Sequence, residues 1–73
     1  MQLRKYANQV VCTFTESELS QGLAEMIRQQ VWLDTGQNLR AKPGTKELFY
    51  QGHLEVVLAV HRRLEKIMRR VNR

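Results

Sequence analysis

The chain has 73 residues, a formal net charge of +5 and an apolar content of 42%. One domain of this size buries a limited share of its surface, so self-association is the natural way to complete its core. One Trp, two Tyr and two Phe argue against a disordered chain. No apolar run approaches a membrane span, and the first residues lack the apolar core of a secretory signal. A single cysteine, Cys12, forms no internal disulfide, which points to a reducing, cytoplasmic setting. The excess of positive charge favours nucleic acid, an acidic protein or an anionic surface as partner.

Met1 to Asn8 is weakly patterned. Arg4 and Lys5 beside Tyr6 read as an ordinary terminus with one anchored ring. Residues 9–14 (QVVCTF) predict a strand with Val10, Cys12 and Phe14 facing the core and Gln9, Val11 and Thr13 facing out. Cys12 then reads as a small buried apolar residue, not a nucleophile.

Thr15-Glu16-Ser17-Glu18 has the spacing of a capping box, with Phe14 and Leu19 placed as a hydrophobic staple. A helix is predicted over 16–35, with Leu19, Leu23, Met26, Ile27 and Val31 as its buried stripe. Gly22 lies inside it at a cost of about 1 kcal/mol relative to Ala, and is read as permitting a close approach of a second helix. Gly36 is the expected left-handed stop. Trp32 and Leu33 either cap the core or belong to a subunit contact.

Residues 36–44 predict a loop, with Arg40, Lys42 and Lys46 around the turn pair Pro43-Gly44. This basic loop lacks the glycine spacing of a phosphate loop and is read as extending a basic patch elsewhere. Residues 46–51 are either a short second strand ended by Gly52 or an early turn of the last helix; the strand is preferred.

Residues 53–72 predict the longest helix. Val57, Val60, Leu64, Ile67 and Val71 recur at spacings of three and four, which is one helical stripe or a short coiled-coil seam. Arg62, Lys66, Arg69 and Arg73 recur at the same spacings on the opposite side, flanked by Arg63 and Arg70. Cations in the last turn oppose the partial negative charge of the helix end, which accounts for one or two of the six. The remainder read either as a solvated face or as a footprint for a polyanion.

No catalytic or metal constellation emerges. His53 and His61 are eight residues apart, too far for a helical zinc pair, and His61 with Glu65 makes at most one i,i+4 contact. A non-enzyme without cofactor is expected.

The run Val10-Val11-Cys12-Thr13-Phe14-Thr15 with its capped helix resembles the front of ribbon-helix-helix DNA-binding proteins. The resemblance implies a strand that pairs across a dimer, with Gln9, Val11 and Thr13 reading the major groove. It covers under half of the chain. That family's second helix follows a short turn, whereas a long loop with Pro43-Gly44 intervenes here, so the chain is not assigned to it.

The expectation is a single α+β domain over 1–73, homodimeric through the Val57–Val71 seam or the strand. Its expected partner is DNA or RNA, held by Arg62, Arg63, Lys66, Arg69, Arg70 and Arg73 with Arg40, Lys42 and Lys46 in support. The alternative is an interaction module, an inhibitor or adaptor, for an acidic protein.

Overall fold

The computed structural model describes residues 1–71, and the fold is α+β. The elements in chain order are β1 (Gln2–Lys5), β2 (Gln9–Thr13), α1 (Glu16–Ser20), α2 (Leu23–Thr35), β3 (Arg40–Ala41), β4 (Glu47–Gln51) and α3 (Leu54–Val71). The strands form one antiparallel sheet in the order β1-β2-β4-β3. Helices α2 and α3 cover one of its faces. None of the described helices is long and apolar enough to cross a membrane.

Strand β2 is central. Its alternation sends Val10, Cys12 and Phe14 into a core shared with Leu48, Ile27, Val31, Leu39, Val57, Val60, Leu64 and Ile67. Val11, on the other face, is also only 7% exposed. It lies opposite Arg4 in β1 and Phe49 in β4, and Phe49 lies opposite Arg40 in β3. The uncovered face therefore carries a transverse row, Arg4, Val11, Phe49 and Arg40.

Four sequence expectations need correction. First, Gln2–Lys5 is not a loose terminus but an edge strand on β2. Second, the edges of β2 are not free to pair across a dimer, because β2 already has a neighbour on each side within its own chain. Third, the loop after Gly36 contains β3, anchored by Leu39 at 1% exposure.

Fourth, the helix over 16–35 is two helices. Thr15 and Glu18 form the complete capping box: the Glu18 amide donates to Thr15 Oγ1 at 3.2 Å, and the Thr15 amide donates to Glu18 Oε1 at 2.8 Å. The chain then breaks at Gly22, which has φ +76. A Cβ there would meet nothing within 4 Å, so the glycine serves the left-handed turn and not a close helix approach.

The strand preference over 46–51 holds, as β4. Pro43 and Gly44 form the β3–β4 turn, with the Thr45 amide donating to the Lys42 carbonyl at 3.2 Å. Gly44 has the positive φ that the second central position of a type II turn demands. Gly52 follows β4, and a Cβ there would sit 2.7 Å from Tyr50 Oη, so a larger residue would require the tyrosine ring to shift. His53 then caps α3, its Nδ1 accepting from the Glu55 amide at 3.2 Å.

The seam expected to hold a dimer is used within the chain. Val57, Val60, Leu64 and Ile67 are at most 5% exposed in the single subunit. Val71, the last residue of that seam, is 38% exposed, and both edges of β2 are paired within the chain.

Two stability measurements follow. Gly22→Ala should destabilise the protein by roughly 1–2 kcal/mol in chemical denaturation, because Ala is strained at positive φ. Within one continuous helix the same change would instead stabilise by about 1 kcal/mol. The second concerns Glu18, whose carboxyl is held below the usual range by hydrogen bonds from the Met1 amino group and then from the Thr15 amide. A carboxyl with a depressed folded-state pKa contributes stability above its unfolded value and loses it as pH falls through the folded one. Glu18→Gln should therefore be less stable than wild type in neutral buffer, and the gap should close as pH drops below about 4.3. A gap that persists in acid would show that the charge is not what the cap uses.

Candidate nucleic-acid interface

The geometry of α3 follows from its period. Val57, Val60, Leu64 and Ile67 are buried, so positions half a turn away must face solvent. Arg62, Lys66 and Arg69 occupy that side and are all exposed. Seven residues separate the first from the last, about 10 Å along the axis. Arg70 is exposed beside them.

Most acids of the chain lie outside α3, and Glu55 and Glu65 lie on it. There are seven, and six of them pair: Glu16 with Lys46 at 3.0 Å, Glu18 with the Met1 amino group at 2.8 Å, Glu25 with Arg28 at 3.3 Å, Glu47 with Arg4 at 2.6 Å, Glu65 with His61 at 3.1 Å, and Asp34 with Arg63. The seventh, Glu55, lies in the first turn of α3, where the helix dipole favours an anion. Arg62, Lys66, Arg69 and Arg70 make no ion pair among the described residues.

The nine residues expected at the site do not form one surface. Arg62, Lys66 and Arg69 share a line and Arg70 flanks it. Arg63 points toward α2, where its Nε meets the Asp34 carboxylate with the side chain 21% exposed. It is a strut between two helices. Lys46 is taken by Glu16 across 30 residues of chain. Arg40 lies in the row with Phe49 on the sheet face that the helices leave uncovered, so it does not extend the α3 line. Lys42 is exposed at the β3–β4 turn. Arg73 lies outside the described residues.

Other reactive groups have structural surroundings. Cys12 is 1% exposed, and burial pushes its thiol pKa up to about 12, so it stays a neutral thiol at physiological pH. The His61 ring meets Glu65 one turn on, as their spacing suggested. Among the described residues no three His, Cys, Asp or Glu side chains come together to hold a metal ion.

Sequence reasoning missed several surface features. The uncovered sheet face carries Arg4, whose Nη2 donates to Glu47 Oε2. The alternation Leu48-Phe49-Tyr50 was the available signal: with Leu48 turned inward, Phe49 must face out. Between α2 and α3 a groove of about 300 Å³ is lined by Met26, Gln30, Arg63, Ile67, Arg70 and Val71. Met26 was expected in the core but is 42% exposed, and Leu33 is 68% exposed. Within α2, Met26 lies about 100° round the helix from Ile27, so burial of Ile27 and Val31 leaves Met26 at the edge of the buried side.

Comparison of the chain with protein-family models, with curated proteins and with solved structures found no match.

Proposed function

We propose that this is a small non-catalytic protein that binds nucleic acid by holding phosphates along α3. The observation that carries the reading is the unpaired line of Arg62, Lys66 and Arg69, with Arg70 at its side, in a chain where six of seven acids are paired elsewhere. The acid nearest to this line is Glu65, on α3 itself, and its carboxylate turns to His61 and not to the arginines. Guanidinium groups suit phosphate because they present a planar fork of donors.

A second reading is an interaction module for an acidic protein. It is favoured by Met26, exposed on α2 in the groove that Arg70 also lines, and by the exposed Leu33 seven residues further along α2. Exposed methionine in a groove between helices suits a partner helix. A homodimer would also use this apolar surface, since most of the α3 seam and both edges of β2 are occupied.

Salt titration separates the readings. Four phosphate contacts on duplex DNA should give a log–log slope of about −3 to −4. Arg62→Glu/Lys66→Glu/Arg69→Glu should cut that slope by about 3 and weaken low-salt binding at least about tenfold. Retention of nucleic acid by this variant at wild-type strength would remove α3 from the interface. Absence of binding by the wild type at low salt would favour the acidic-protein reading.

A further inference from the structure

Two shallow pockets adjoin beside β3. One, of about 370 Å³, is lined by Gln37, Asn38, Arg40, Phe49 and Gln51 among others. The other, of about 370 Å³, is lined by Glu25, Arg28, Gln29, Trp32 and Asn38 among others. Asn38 walls both. The first pocket thus offers two aromatic residues, Phe49 and Tyr50, and the second offers one, Trp32; each adds an arginine and side-chain amides.

We infer that these pockets form a track for single-stranded nucleic acid, with one unpaired base stacked on Phe49, another on Trp32, and Arg40 at the phosphate between or beside them. The inference rests on the nucleic-acid reading above for its class of ligand, but it uses none of the α3 cations.

Trp32 takes no part in the core, and Phe49, although it lies beside Val11 on the uncovered face, is not itself fully buried. Trp32 is 50% exposed, while Ile27 and Val31 carry the buried side of α2. Phe49 is half-buried on the sheet face that no helix covers. An exposed aromatic face accepts any base by stacking, independent of sequence. Gln29, Gln37, Asn38 and Gln51 supply donors and acceptors suited to base edges. The charge is complementary: Arg40 and Lys42 are exposed and make no ion pair among the described residues, whereas Arg28 is matched by Glu25 at 3.3 Å. The positive excess of the track therefore comes from its β3 side.

Two other occupants fit less well. Bases inside a duplex are stacked on each other and present no face to Phe49 or Trp32, so a duplex gains only the charge term. A second copy bound through the same surface would meet it in an isologous contact, which uses the patch twice and brings two copies each of Arg40 and Lys42 into one interface.

The test measures anisotropy of a labelled oligodeoxythymidine strand and of a labelled mixed-sequence duplex, with circular dichroism as the check on folding. Trp32 is the single tryptophan of the chain, so its emission reports the track directly. The wild type should bind the single strand more tightly than the duplex, and saturating unlabelled strand should quench Trp32. Phe49→Ala and Trp32→Ala should each weaken single-strand binding about tenfold while leaving duplex affinity nearly unchanged. Phe49→Trp should retain binding, and Arg40→Glu, at an exposed position, should weaken it even if Phe49→Ala proves poorly folded. Unchanged single-strand affinity in Trp32→Ala and Arg40→Glu overturns the track. If Arg62→Glu/Lys66→Glu/Arg69→Glu alone abolishes binding, the α3 reading stands and the track falls. If the wild type binds neither nucleic acid, both fall.

Discussion

Burial of one side of α3 against the sheet is the constraint from which the rest of the molecule follows. Val57, Val60, Leu64 and Ile67 leave water together, packed on Val10, Cys12 and Leu48 and flanked by Ile27 and Val31. Each such side chain contributes about 1.5–3 kcal/mol, an upper figure because the unfolded chain already buries part of its surface. A helix is rigid on this scale, so the direction of its polar side is not adjustable. Burying the valines and leucines is the same act as presenting Arg62, Lys66 and Arg69 to solvent.

The charges complete that arrangement. The acids are placed where they have local structural uses: Glu18 in a cap, Glu16 against Lys46, Asp34 against Arg63, Glu47 against Arg4. Most of these are exposed pairs, and surface pairs of this kind contribute little to stability. Their larger effect is on the potential around the molecule. They remove negative charge from the surroundings of α3 and leave a positive excess there and along β3, on opposite sides of the two-layer body. The apolar groove between α2 and α3 meets the Trp32 pocket at Met26, which lines both.

Features set within a few residues of chain were legible in the sequence. The capping box needs only Thr15 and Glu18; the α3 register needs only its own spacing; the β3–β4 turn needs only Pro43-Gly44. What sequence reasoning missed was set by distant partners. Gln2–Lys5 has one strongly apolar residue, Leu3, and becomes a strand because β2 offers it an edge. A glycine at position 22 signals weakness in a helix but not that φ will be positive. Val11 is outward by alternation and yet shielded, because Arg4 and Phe49 lie beside it across the sheet. The ribbon-helix-helix likeness was confined to a strand and a cap, and pairing of β2 with a segment nearly forty residues later occupies an edge that a dimer would use. The site was legible to the same extent. The α3 line could be read from spacing, whereas Arg63 and Lys46 were lost to acids 29 and 30 residues away, which spacing does not reveal.

The central claim is that α3 holds a polyanion on its exposed cations while Arg63 stays in its pair with Asp34. Arginine-selective chemical modification, read residue by residue with mass spectrometry with and without saturating nucleic acid, tests it most directly. Arg62, Arg69 and Arg70 should be modified readily in the isolated protein and protected in the complex, with Arg63 slow to react in both. Equal modification of Arg62 and Arg69 with and without bound nucleic acid would contradict the claim.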